Sequence, residues 1–338
     1  MGKILVTGGL GYIGSHTVVA LHESGYSVLI VDDLSNSERT VLQGLEKIIG
    51  FTPEFIELDL RDKAAVKNIF DQHSFDGVIH FAASKAVGES VENPLLYYEN
   101  NINALVYVLQ NCVAHGVHNF IFSSSCTVYG EPDFLPIDES APIKRALSPY
   151  GNTKQIAEEI LHDLCKVSDL RTILLRYFNP IGAHDSALIG ELPKGVPQNL
   201  VPFITQTAAG LREQLSVFGD DYPTADGSCI RDYIHVMDLA EAHVVALDRL
   251  VKKAQQEPVE VFNLGTGQGN SVLEVIKTFE EATSVTLPYK IVGRREGDVI
   301  AVYADTKKAT QVLGWSTQRD LATSLSSAWA WEKRIRGL

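Results

Sequence analysis

No C-x-x-C pair and no histidine group with metal-ligand spacing occurs in this sequence. Its four cysteines are Cys112, Cys126, Cys165 and Cys229. That pattern excludes the common zinc and redox motifs and favours reduced thiols in a cytoplasmic protein. There is no run of about 18 apolar residues, the length a bilayer-spanning helix needs. Basic residues are in the minority, 29 against 42 acidic ones, for a formal charge of −13. The balance argues against a nucleic-acid surface and against binding to anionic membranes, though an anionic small ligand can still find a locally basic pocket. The start, MGKILVTGG, lacks the apolar core of a signal peptide. It runs straight into a strand and turn, which also disfavours lipidation at Gly2. The stretch Asn100–Gly130 contains no Asp, Glu, Lys or Arg and is rich in Asn, Gln, His and Ser. It reads as a helix and a strand buried in the protein or at an interface.

What is present is ordinary for a globular protein: 45% hydrophobic and 21% charged residues in 338, enough for one large or two modest domains. The first half alternates β-rich runs with helical patterns. The runs are KILVT (3–7), YSVLIVD (26–32), EFIELDL (54–60), GVIHFAA (77–83), NFIFSSS (119–125) and RTILLRY (171–177). Near-continuous apolar strands between helices predict a parallel sheet covered on both faces. The expected fold is α/β, a doubly wound Rossmann sheet, with a smaller C-terminal α/β domain. The rhythm breaks after Asn179-Pro180, so the expected division is 1–180 and 181–338. Shorter strands such as QLSVFG and EVFNLGTG fall in the second part. The amphipathic stretch DLAEAHVVALDRL predicts a helix that could return to the sheet, interleaving the boundary around 236–250.

After the first strand comes TGGLGYIGSH. Gly9, Gly11 and Gly14 fit G-x-G-x-x-G, and Gly8, Gly11 and Gly14 fit a looser form. Between a strand and a helix, such glycines let a pyrophosphate approach the backbone at a helix N-terminus. The second strand ends in Asp32, placed to accept hydrogen bonds from ribose hydroxyls and to repel a 2′-phosphate, so NAD is preferred over NADP. Asp59, at the end of the third run, is a candidate for the adenine amino group.

SPYGNTK (148–154) places Tyr150 and Lys154 on one helix face. Alone, such a pair is usually a solvated surface. Beside the glycine loop it points to a phenol serving as general base, its ionisation favoured by the ammonium and by a nicotinamide cation. SSSCTVYG (123–130), at the C-terminal edge of the sheet, supplies positioning hydroxyls in Ser125 and Thr127.

Together with RYFNPIGAH (176–184), PQNLVPF (197–203), VFGDDYPTADGSCIRDYIHV (217–236) and RREGDV (294–299), these motifs resemble the extended short-chain dehydrogenase/reductase superfamily. Within it, the chain is similar to the UDP-glucose 4-epimerase family over essentially its whole length. The resemblance implies an isomerase that interconverts UDP-glucose and UDP-galactose. Tyr150 takes the 4-hydroxyl proton, NAD takes the C4 hydride, and the 4-keto sugar turns and receives the hydride on its other face. It implies an NAD-binding part, 1–180, and a UDP-sugar-binding part, 181–338. For NAD it adds Tyr12, Ile13, Asn36 and Leu60, then Phe81, Ala82, Ala83, Lys85 and Asn100 along the cleft. Ser123, Tyr177 and Phe178 join Tyr150 and Lys154 near the nicotinamide. For the UDP-sugar it implies Arg231 and Arg295 at the diphosphate, Asn179 at the diphosphate or sugar, and Phe218 on the uracil. Asp298 falls to the ribose, Asn199 and Leu200 to a closing segment, and Lys85 also to the substrate side. Val302 sets room at the sugar 2-position. Its intermediate size predicts some tolerance of UDP-N-acetylhexosamines. Cys126 is expected to be a small filler. Relatives also imply a homodimer through the helices near 94–115 and 151–166.

Other readings fit less well. A 4,6-dehydratase carries Asp-Glu after the active-site Thr, whereas Thr127 precedes Val128-Tyr129 and the first acid is Glu131. A decarboxylase or uronic acid epimerase needs a carboxylate partner that is not identifiable. An NAD-sensing protein without chemistry has no use for Ser125, Tyr150 and Lys154 together.

Overall fold

A computed structural model of the chain describes residues 2–295 and 298–338. The elements run β1 (Lys3–Thr7), α1 (Tyr12–Glu23), β2 (Ser27–Asp32), α2 (Thr40–Ile49), β3 (Glu54–Glu57), α3 (Lys63–Gln72), β4 (Gly77–His80), α4 (Val87–Glu92), α5 (Pro94–Ala114), β5 (Asn119–Ser125), α6 (Pro149–Val167) and β6 (Arg171–Tyr177). There follow β7 (Asn179–Ile181), α7 (Leu200–Ala208), β8 (Leu215–Phe218), β9 (Ile230–Arg231), β10 (Tyr233–His235), α8 (Val236–Val251), β11 (Val259–Leu264), β12 (Asn270–Ser271), α9 (Val272–Thr283), β13 (Tyr289–Val292), β14 (Ala301–Val302) and α10 (Leu321–Arg336).

Two compact units emerge. The first holds the chain up to Gly130 together with Ala141–Tyr177 and Ala240–Phe262. The second holds Glu131–Ser140, Phe178–Leu239 and Asn263–Leu338. The EVFNLGTG strand, expected with the shorter strands of the second part, is instead β11, an edge strand of the main sheet.

That sheet has the order β11-β6-β5-β4-β1-β2-β3, with parallel pairing from β6 through β3. The order reverses between β1 and β4, which opens a crevice at the carboxyl ends of the strands. The strands are apolar because helices bury them. Leu5, Val31, Val78, Phe120 and Leu174 pack with Val66 and Phe70 of α3, Leu105 and Val108 of α5, and Leu161 of α6. Two strands stop short of the apolar runs that predicted them. β3 ends at Glu57, and the Leu58 N–H turns to the Asp32 carbonyl. β4 ends at His80, and Phe81 donates its N–H to the Thr7 carbonyl. Both breaks lie at the carboxyl end of the sheet.

In the second unit, Val201 and Ile204 of α7, Val275 and Phe279 of α9, and Leu325 of α10 surround Val217 and Tyr233. Its strands form small sheets, including β12-β9-β14 and the parallel pair β8-β13. No helix among the described residues is long and apolar enough to cross a membrane.

Candidate active site

The glycine loop sits at the reversal point. Gly8 has φ +68°, and a Cβ there would fall 2.7 Å from the Ala82 nitrogen, so the loop after β4 packs directly on it. α1 then begins at Tyr12 with neither a side-chain cap nor an acid in its first turn. Its N–H groups and dipole therefore suit an anion. Asp32 is buried and partly committed within the protein. It accepts the Leu10 N–H at 3.0 Å, the Leu34 N–H at 3.0 Å and the Ser37 hydroxyl at 2.7 Å. A carboxylate has about four lone-pair sites, so capacity for one ligand hydroxyl remains. Asp59 is taken up by Arg61, whose hydrogen bonds hold its carboxyl below the usual range. Leu60 is buried and Asn36 exposed.

Ser148 explains the placement of the Tyr/Lys pair. Its hydroxyl accepts the Gly151 N–H at 3.1 Å and Pro149 is the first helical residue, so α6 starts immediately before Tyr150. Lys154 lies one turn on, its Nζ 5.9 Å from the Tyr150 ring centroid and 4.9 Å from that of Phe122. It donates to the Ser123 carbonyl at 2.6 Å. Ser125 hydrogen-bonds Tyr150 and also accepts the Thr127 N–H. The Thr127 hydroxyl is buried with no partner among the described residues, as a group awaiting a ligand would be.

Burial dominates the electrostatics of the pair. Enclosure by protein pushes the Tyr150 phenol up to about 12, with the Ser125 hydrogen bond opposing and Cys126 adding to it. Lys154 is itself pulled down to about 8 by burial, with Glu158 opposing. Desolvation, which penalises the phenolate, is thus the largest influence on Tyr150 in the protein without cofactor.

Tyr177 is buried, which raises its phenol pKa, and it shares a hydrogen bond with Ser123. The His243 ring lies 4.8 Å from Phe81 and 5.7 Å from Tyr177. Asn100 bonds the Ser84 hydroxyl, and Lys85 is exposed. Sequence reasoning missed His243. It also missed Asn101, which joins Ser84 to Thr153, whose hydroxyl bonds the Tyr150 carbonyl.

A second cluster belongs to the second unit. Asp298 takes Arg295 at 2.7 Å and lies 3.6 Å from Arg231. The Arg295 guanidinium is 5.6 Å from the Phe218 ring, which is 41% exposed despite being aromatic. Val302 pairs with Arg231 across β14 and β9. The buried Asp232 fixes this region by accepting the N–H groups of Thr266, Gly267 and Ala304. Asn199 turns instead to Glu191, at 2.7 Å, and Leu200 opens α7. Phe178 is buried, and the Asn179 N–H goes to the Asp232 carbonyl. In RREGDV, Glu296 and Gly297 lie outside the described residues. No group of metal ligands and no disulfide occurs among the described residues.

A glycine loop at the reversal of a parallel sheet, with a Ser/Tyr/Lys cluster at its carboxyl edge, defines a dinucleotide-dependent redox protein of the Rossmann class. The chain belongs to the NAD dependent epimerase/dehydratase family, whose model matches residues 4–265. It is 48% identical to the UDP-glucose 4-epimerase of Mus musculus, with 99% of this chain and 97% of that protein covered. The UDP-glucose 4-epimerase of Stenotrophomonas maltophila, solved with NAD and formylated UDP-arabinopyranose, superposes with a TM-score of 0.96 at 47% identity, covering 100% of this chain and 99% of that one. That of Bifidobacterium longum, in complex with NAD+ and UDP, gives 0.94 at 44% identity, with 99% of each chain covered.

Proposed function

We infer that this chain interconverts UDP-glucose and UDP-galactose by inverting the hexose at C4. The observation that carries this reading is the Ser125–Tyr150–Lys154 cluster in a chain matching named UDP-glucose 4-epimerases over 97% or more of both lengths. NAD, when bound, accepts the C4 hydride and returns it to the opposite face. Tyr150 takes the 4-hydroxyl proton during oxidation and gives it back during reduction, so no proton is consumed over a turn. Ser125 and Thr127 position the reacting oxygen by hydrogen bonds. Lys154 holds positive charge beside the phenol. Gly8, Gly11 and Gly14 leave the pyrophosphate its approach, and Asp32 accepts a ribose hydroxyl. Inversion requires UDP to be held firmly while the hexose turns. Arg231, Arg295, Phe218 and Asp298 fit the firm grip, since arginine forks and an exposed aromatic ring suit a diphosphate and a base. On this reading the first unit serves NAD and the second serves the UDP moiety.

Purified protein incubated with UDP-galactose and no added NAD is expected to yield UDP-glucose, followed by chromatography. No conversion even with NAD supplied would transfer the assignment to another nucleotide sugar. Val302 supports a wider range, with UDP-N-acetylgalactosamine turned over more slowly by the parent and faster by Val302→Ala. No turnover by either protein would remove that extension.

The assembly we propose is a homodimer through α5 and α6. Leu95, Leu96 and Val113 of α5 and Val167 of α6 are exposed apolar side chains that a partner helix pair would cover. Light scattering at micromolar concentration should give twice the chain mass, and a monomer mass would end this proposal. Four free cysteines suit a reducing, cytoplasmic setting.

A further inference from the structure

Ser123, Ser124 and Ser125 are three consecutive residues of β5, and each meets a different residue of α6. The Ser123 carbonyl takes Lys154, and Ser125 bonds Tyr150. The Ser124 hydroxyl donates to Glu158 Oε1 at 2.5 Å. Glu158 follows Lys154 by one helical turn, so the two side chains share a face. Arg176 of β6, the register partner of Ser124, forks onto the same carboxylate at 3.0 and 2.5 Å. Its remaining nitrogen donates to the Tyr129 hydroxyl at 3.0 Å, in the 3-10 turn that carries Thr127. Glu158 and Arg176 are each 5% exposed.

One buried ion pair therefore ties the segments that bear the catalytic candidates, α6, β5 and the turn after it, to the end of β6. Such pairs add little net stability over apolar residues of similar size, because both charges lose their water. Stability is thus a poor reason for this one. We propose that Glu158 is a positioning residue for the reaction: gripped by Arg176, its carboxylate sets the register of α6 on β5 and places a fixed negative charge one turn from Lys154. The proposal rests on the epimerase reading for its catalytic consequence, but the charge it assigns is a property of the protein alone.

The groups facing Lys154 are consistent with that role. Tyr150 and Glu158 lie on its own helix, and Arg176 and Tyr177 reach the same serine run from β6. His80 at the end of β4 is the other titratable neighbour, and burial, then Lys154, push its imidazole down to about 3, so it stays neutral. Glu158 is the group that opposes the effect of burial on Lys154.

The test uses NAD-loaded protein with 13C-labelled lysine, the Lys154 resonance being assigned with Lys154→Arg. Glu158→Gln is compared with the double variant Glu158→Met/Arg176→Leu, which leaves no buried charge unpaired. In Glu158→Gln the Lys154 titration midpoint should fall by about one pH unit, the size expected for loss of a nearby opposite charge, and it should fall less in the double variant, where the Arg176 cation leaves with the carboxylate. The kcat for UDP-galactose should fall about 100-fold, as misplacement of a catalytic group does. KM should change less than about twofold, since substrate binding is untouched. The basic limb of the kcat profile should follow the NMR midpoint. The double variant should melt close to the parent. An unmoved midpoint in Glu158→Gln, or a loss of kcat that merely tracks the loss of folded protein, overturns the proposal. A parent that fails to turn over UDP-galactose counts against the epimerase reading instead, and the Lys154 midpoint still decides this one.

Discussion

Tyr150→Phe should lower kcat for UDP-galactose by about 1,000-fold or more, within the span that general acid–base catalysis contributes. NAD content and melting temperature should stay at parental values. The substitution removes one oxygen, whose protein hydrogen bond is to Ser125. Ser125 keeps a second partner in the Thr127 N–H, so the site need not rearrange. Desolvation pushes the phenol up to about 12 in the protein without cofactor. A bound nicotinamide cation would favour the phenolate, so the proposed mechanism couples ionisation of Tyr150 to the presence of oxidised NAD. Parental kcat should therefore rise with pH as the phenol ionises, and Tyr150→Phe should lose that rise. Activity within tenfold of the parent would transfer the proton to another residue, with Ser125 and Thr127 the first to examine.

Gly11→Ala and Gly14→Ala should separate binding from folding. Gly11 has φ −67° and ψ 173°, a conformation open to any residue, and a Cβ there meets only the Gly8 carbonyl oxygen, at 3.2 Å. The protein should fold with a near-parental melting temperature. The added methyl occupies the approach proposed for the pyrophosphate, so NAD affinity should drop about 100-fold, equivalent to ~2.7 kcal/mol. At Gly14 the methyl would sit 2.3 Å from the Gly8 carbonyl oxygen and 2.8 Å from the Gly9 Cα. Both are backbone atoms, so the loop itself must move. This variant should lose stability together with cofactor. Calorimetry beside fluorescence titration with NAD checks both. Parental NAD affinity in Gly11→Ala would place the cofactor elsewhere.

Much of the first unit was legible because its signals are local. KILVT, NFIFSSS and RTILLRY form strands over the lengths their apolar runs predict. Such runs need both faces covered, which already implies a helix-clad parallel sheet. The glycine loop follows from backbone sterics over seven residues. In SPYGNTK the cap, the proline and the four-residue spacing act within two helical turns, so the sequence itself placed Tyr150 and Lys154 on one face.

The rest depends on contacts between distant segments. Nothing in EVFNLGTG tells that it joins the main sheet, because its neighbour in that sheet is chosen by the path of α8. Asp32 was expected to serve a ligand, yet it also ties the Leu10, Leu34 and Ser37 loops together. Arg231, Arg295, Asp298 and Phe218 are spread over the sequence and gather only when β8, β9 and β14 are in place. Glu158 and Arg176 look like ordinary surface charges until burial makes them partners. The direction of the Tyr150 shift is of the same kind. Spacing brought an ammonium to the phenol, but desolvation depends on everything that encloses it. By itself the sequence determined which residues share a helix face, a strand or a loop, since that is set by short-range geometry. Only the tertiary structure decided which charges lose their water and which distant groups replace it.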